Sequence, residues 1–167
     1  MPRLIRDGAI VDDGWVHLAD DAALPDRGDV IVSLERWLAE RDALSARKGG
    51  VGVRLAAGDR LDTIAGDLGR LQVVALDFGQ FKDGRSYSLA RLLRERHGYK
   101  GHIRAVGDVL HDQLYFMRRC GFDEFELRAD RSAEDALRAF GELSVTYQAA
   151  ADEKRPLFRR AHRGAPR

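Results

Sequence analysis

At 167 residues with 44% hydrophobic side chains, the chain is long enough for one domain with a sizeable core and too short to expect two. Lys and Arg (28) nearly cancel Asp and Glu (27), which argues against a whole-molecule attraction to nucleic acid or membrane. A single cysteine excludes an internal disulfide, a CxxC redox pair and an iron–sulfur cluster ligated by cysteines of one chain, and it suits a reducing compartment. The charge balance hides an asymmetry. Residues 1 to 30 hold seven Asp and three Arg, whereas residues 154 to 167 (KRPLFRRAHRGAPR) hold six basic side chains and no acid, a tail suited to an acidic partner. The first residues lack the apolar core of a signal peptide, and no apolar run nears the roughly 20 residues that span a bilayer, so a soluble cytoplasmic protein is expected.

In chain order, residues 3 to 18 alternate short apolar runs around Asp7-Gly8 and Asp12-Asp13-Gly14. This predicts a small antiparallel hairpin or meander with Trp15 and Val16 in its second arm, decorating an edge over residues 1–28. After Pro25 and Gly28, DVIVS (29–33) reads as a buried strand. Ser33 can cap a helix from Leu34 to about Ala46, ended by Lys48-Gly49-Gly50. One pattern then repeats: VGVRL (51–55), a helix near 60–68, VVALDF (73–78), a helix near 86–97, HIRAV (102–106), a helix over 109–120, FDEFEL (122–127) and a helix from 132 to about 148. Strands alternating with helices imply parallel βαβ units. The expected fold is a single α/β core domain over 29–148, with a mainly parallel five-stranded sheet that is either open and doubly wound or a partial barrel. Periodicity fails after Tyr147, so 149–167 is expected to be an extended basic tail, anchored by Leu157 and Phe158.

Parallel strands covered on both faces should be nearly all apolar, yet four successive strands carry Arg54, Asp77, Arg104 and Glu126, alternating in sign. Neighbouring strands lie about 4.8 Å apart, so these side chains are placed to pair. They form either a polar site at the carboxyl ends of the strands or an ion-pair network covered by another element. Ligands of such folds bind outside those ends. The loops there bring Lys82, Arg85 and Arg128, which with Arg104 would suit a phosphate- or sulfate-like anion, although Asp59, Asp83, Asp108 and Asp130 dilute the field. Asp108, after Gly107, is placed as a helix N-cap or as an acid/base group. His111 lies in the first turn of the same helix, where the dipole favours neutral imidazole. Cys120 closes that helix, where the dipole disfavours thiolate while Arg118 and Arg119 partly oppose it. Asp108, His111 and Cys120 are the candidate catalytic residues. The five histidines show no metal-ligand spacing, and no GxGxxG or GxxxxGK[ST] follows a strand, so neither a metal nor a cofactor is expected, a flavin bound without a motif being the one left open.

DGRSYSLARLLRER, RAVGDVLHDQLYFMRRCGFDEFEL and a tail containing PLFRR, preceded by VGVRL, together resemble the bacterial family catalogued as domain of unknown function 934. Asp83, Gly84, Arg85, Arg91, Arg104, Gly107, Asp108, Asp112, Gln113, Arg119, Cys120 and Gly121 are the positions that match its motifs. Members are often labelled probable oxidoreductases, and the resemblance implies a setting beside assimilatory sulfite reductase and the reductase for activated sulfate. It supplies no established catalytic residues. Two functions are therefore expected, neither of which decides whether the protein is an enzyme. One is an accessory component of sulfate and sulfite reduction that contacts the sulfite reductase haemoprotein or its electron donor, with Arg159 and Arg160 of the tail in the contact. The other is an enzyme or sensor that binds an anionic sulfur or phosphate metabolite at the strand-end loops. A homo-oligomer fits either reading, a membrane neither. Binding of nucleic acid through the tail is disfavoured by the near-zero net charge.

Overall fold

A computed structural model describes residues 3–79, 84–128 and 132–141. The chain opens with a hairpin, β1 (Arg3–Arg6) and β2 (Ala9–Asp12), turned at Asp7-Gly8, where both residues take positive φ (51° and 79°) as a twisted two-residue hairpin requires. There follow β3 (Trp15–His17), β4 (Asp29–Ser33), α1 (Leu34–Ala46) and β5 (Val51–Leu55). Next come β6 (Val73–Phe78), α2 (Arg85–Glu95), β7 (His102–Gly107), α3 (Leu114–Cys120), β8 (Glu124–Glu126) and α4 (Ala133–Gly141). Ser33 caps α1 as its position in the sequence implies, its side chain accepting from the Arg36 amide.

All the strands among the described residues join one eight-stranded sheet in the order β2-β1-β8-β7-β6-β5-β4-β3, where five strands were expected. Strands β3 to β8 are mutually parallel, while β1 is antiparallel to both β8 and β2. The parallel strands follow chain order without reversal, so the sheet is not doubly wound. Right-handed crossovers in unbroken sequence put every helix on one face, and one core cluster accordingly joins Trp37 and Leu44 of α1, Ala90 and Leu93 of α2, Leu114 and Met117 of α3 and Ala136 of α4 to the same set of strand side chains.

The order of the strands also dictates a curl. Strands β2 and β3 stand at opposite ends of the sheet, yet only Asp13 and Gly14 separate them in the chain. Seven flat spacings would put them about 34 Å apart, whereas the three Cα steps from Asp12 to Trp15 reach about 11 Å. The sheet therefore bends into a half-barrel whose open side is spanned by residues 9–17. Because β2 and β3 run in the same direction, this stretch behaves as one extended strand. Residues 3–17 thus supply three strands of the sheet itself, rather than an appended edge.

Two expected helices take other forms. The stretch near 60–68 folds as 3₁₀ turns at Leu61–Thr63 and Ala65–Arg70, because Gly58, Gly66 and Gly69 weaken an α-helix in so short a connection. In the 109–120 segment a 3₁₀ turn at His111–Gln113 precedes α3, which starts at Leu114. Among the described residues no helix is long and apolar enough to cross a membrane. The continuation of α4 towards 148 and the 149–167 tail, with Leu157 and Phe158, lie outside the described residues.

Candidate functional site

Period-two alternation assigns each strand side chain to the helix-covered or the concave face. Register aligns Ser33, Arg54, Ala75, Arg104 and Glu124 across β4 to β8, and pairs Glu124 with Arg6 of β1. A small apolar cluster of Ile31, Val73, Ala75 and Val106, with Trp15 against it, lines the same concave side. Here the charges that looked anomalous in the sequence collect.

The floor of the concavity is ionic. Arg104 is fully buried, and its guanidinium donates from Nε to Glu124 Oε2 (2.8 Å), from Nη1 to Asp13 Oδ2 (2.8 Å) and from Nη2 to Asp13 Oδ1 (3.1 Å). Glu124, equally buried, accepts a second bond from Arg6 Nε at 2.7 Å. A forked guanidinium satisfies two carboxylates at once in a way that a lysine cannot. Burial pulls the ionisation of Arg104 down, but Glu124 and Asp13 outweigh it and hold the guanidinium above its ordinary value. Asp13 reaches this place because residues 9–17 cross the open side with alternate side chains pointing in.

At the carboxyl ends the network opens to solvent. His17 ends β3 and Glu126 ends β8, and their side chains, each 32% exposed, meet at 2.8 Å between Nε2 and Oε2. Glu126 also lies 3.6 Å from Arg104 Nη1. Burial pushes the Glu126 carboxyl up, yet His17 and Arg104 overcome this and leave it below the usual value. Across the rim, Arg54 of β5 and Asp77 of β6 form a loose pair with 4.0 Å between Nε and Oδ2, Arg54 being about half exposed. The Asp77 carboxylate rests against Gly107, which has φ +87°, and a Cβ there would stand 2.5 Å from Oδ1. Ser33 of β4 completes the rim, its hydroxyl donating to Asp20 at 2.6 Å. Lower on the wall, His102 of β7 sits 3.1 Å from Asp123 and 3.7 Å from Glu124. Desolvation raises the Asp123 carboxyl, and Arg94, the Ile103 amide and His102 only partly counter it.

The four strand charges read from the sequence thus come together as two pairs, Arg54–Asp77 at the rim and Arg104–Glu126 between rim and floor. As an anion contact, Arg104 is differently placed from the expectation: it lies beneath the rim and spends its donors on carboxylates. Arg128 is exposed and donates to Asp108 at 3.2 Å, Arg85 opens α2 on the surface, and Lys82 falls outside the described residues, as do Arg159 and Arg160. Asp108 caps no helix, since α3 starts six residues later; its amide donates to Phe78 O. His111 is exposed on the 3₁₀ turn, and Cys120 is buried in the helix-side core, on the other side of the sheet from His17 and Glu126. Asp13, His17, Glu124 and Arg6 were missed, because Asp12-Asp13-Gly14 carries the composition of a turn and hides the strand pairing that sets Asp13 and His17 on the inner face. Among the described residues no three His, Cys, Asp or Glu side chains are placed to hold a metal ion.

An open groove of about 650 Å³ lies at the opposite, amino end of the strands, lined by Trp37, Arg47, Arg70 and Gln72 among others. Its most prominent cation is committed, because Arg47 donates to the carbonyls of Pro25 and Gly50. His17, Arg54, Asp77 and Glu126 stand at or near the carboxyl ends of β3, β5, β6 and β8, the end of the strands where α/β folds bind ligands.

Fold and rim together define a class: an α/β half-barrel with an ionic floor and an acid–base rim at the carboxyl ends of its strands. The chain belongs to a bacterial family of proteins of unknown function, DUF934, whose model matches residues 52–158. No curated protein and no solved structure matches it. The matched stretch contains Arg54, Asp77, Arg104, Glu124 and Glu126, whereas Asp13 and His17 precede it.

Proposed function

We propose that this protein is an enzyme or sensor that binds a small anionic sulfur or phosphate metabolite at the carboxyl-end rim of the half-barrel, in the service of assimilatory sulfate and sulfite reduction. The observation that carries this reading is the placing of His17, Arg54, Asp77 and Glu126, all partly exposed, towards the carboxyl ends of four parallel strands of one curled sheet. Arg54 is the half-exposed cation whose loose contact with Asp77 leaves its guanidinium accessible to a ligand oxyanion. The His17–Glu126 pair supplies a group able to hold or release a proton at the same end of the sheet. The metabolic setting rests on the family resemblance alone. Thermal shift in the presence of sulfate, sulfite or adenylyl sulfate tests it. A rise in melting temperature with at least one, lost in Arg54→Ala, is expected; no rise with any of them would sink the reading.

A second reading is an accessory role, in which the protein docks on the sulfite reductase haemoprotein or its electron donor. Phe116 favours it, being 58% exposed while its ring lies 5.1 Å from that of Tyr87, so that α2 and α3 present an aromatic patch to solvent. Co-migration of the purified protein with the reductase, weakened by Phe116→Ser, supports this role. Migration apart at micromolar concentrations contradicts it.

A further inference from the structure

We propose that the rim takes up its anion together with one proton, which is held by His17. This deepens the ligand-binding reading above and rests on it.

The inference follows from the charges that the half-barrel encloses. Among the described residues, Arg6, Arg54 and Arg104 face Asp13, Asp77, Glu124 and Glu126, which is three positive charges against four negative, a sum of −1 with neither histidine counted. Asp20, accepting from Ser33 at the β4 end of the rim, adds to the deficit, whereas Asp123 below is matched by Arg94 at 3.2 Å. An oxyanion seated on Arg54 deepens the negative balance in a partly desolvated space, where an uncompensated charge is costly. The site therefore binds an anion well only when it also gains positive charge. Histidine is the side chain whose charge changes between about pH 5 and 8, and His17 is the histidine at the rim. The groups facing it are Glu126 of β8, then Arg104 of β7, with Asp13 on its own strand, Ser33 and Asp20 at β4, and Arg54 and Asp77 across the opening. One proton on His17 brings the three-against-four sum to zero. His102 is the competing acceptor, but it lies at the amino end of β7 against Asp123 and Glu124.

The test is calorimetric titration of the full chain with sulfate, which carries no proton of its own near neutral pH, in two buffers of different ionisation enthalpy between pH 6 and 8. The expected result is an uptake of close to one proton, with affinity falling roughly tenfold per pH unit above the histidine range. In His17→Gln, which retains a hydrogen-bonding side chain towards Glu126, the uptake disappears. Glu126→Gln provides a second check: it removes one negative charge, so sulfate binding should become nearly independent of pH. Circular dichroism of each variant at the same pH confirms its fold. Sulfate binding with no proton uptake, or uptake abolished by His102→Gln and retained in both His17→Gln and Glu126→Gln, overturns the inference and leaves the ligand-binding reading standing. No sulfate binding at any pH in folded protein overturns both.

Discussion

Removing the Arg104 guanidinium strands the Asp13 carboxylate in the floor of the half-barrel and leaves Glu124 with Arg6 alone. Arg104→Met should destabilise the protein by about 3–5 kcal/mol in urea unfolding, because Asp13 stays buried without its cation and Glu124 keeps only Arg6. The same change combined with Asp13→Asn and Glu124→Gln should recover much of the loss, since the one charge then left without its carboxylate, Arg6, is partly exposed. Equal loss in the single and triple variants would mean that packing volume, rather than charge, holds this place. The rim makes a prediction about pH. The Glu126 carboxyl is lowered in the folded state, so its contribution is present above the ordinary glutamate value of 4.5 and is lost as pH falls through the lowered one. Asp123 has the opposite sign, its raised carboxyl favouring the folded state as pH falls, and it offsets part of the loss. The stability gap between wild type and Glu126→Gln should therefore narrow below pH 4.5, and a gap that stays constant from pH 7 to 3 contradicts the assignment.

At the scale of elements, the turn after β7 and the strand across the open side carry the argument. Gly107→Ala places a Cβ 2.5 Å from Asp77 Oδ1 and 2.9 Å from the Phe78 carbonyl, at a φ that disfavours side chains. A loss of roughly 1–3 kcal/mol is expected in denaturant unfolding, and a neutral result would show that the turn relaxes freely. Deleting residues 1–17 bares the β4 and β8 edges and takes Asp13 from Arg104. The shortened chain should lose its cooperative unfolding transition, whereas a sharp transition would make the segment the edge decoration that its turn residues suggest. Much of the element level was legible beforehand: DVIVS, VGVRL and VVALDF are strands over the very residues their apolar runs mark, and Ser33 caps α1. The 9–17 strand was not, because Asp12-Asp13-Gly14 carries the composition of a turn, and here tertiary pairing with β1 on one side and β4 on the other overrides it.

For the whole molecule, strand order lies beyond local pattern. Alternating strands and helices imply parallel units, but whether the order reverses, as in a doubly wound sheet, or runs on, as in a half-barrel, depends on which edges meet. Two residues between β2 and β3 settle that question in space. The curl in turn explains the alternating strand charges. Arg54, Asp77, Arg104 and Glu126 point into a concavity that the barrel itself encloses, and Asp13 and His17 complete their pairing from a strand that no short-range signal connects to them. Cys120, a candidate for chemistry in the sequence, packs instead on the helix side, because α3 turns it into the core. On the proposed reading, the concave rim is the functional site. The most direct measurement is a two-dimensional NMR titration of the labelled protein with sulfate at pH 6. Saturable shifts concentrated at His17, Arg54, Asp77 and Glu126 are the predicted result; shifts confined to the surface around Arg128 or the basic tail, or none at all, would contradict it.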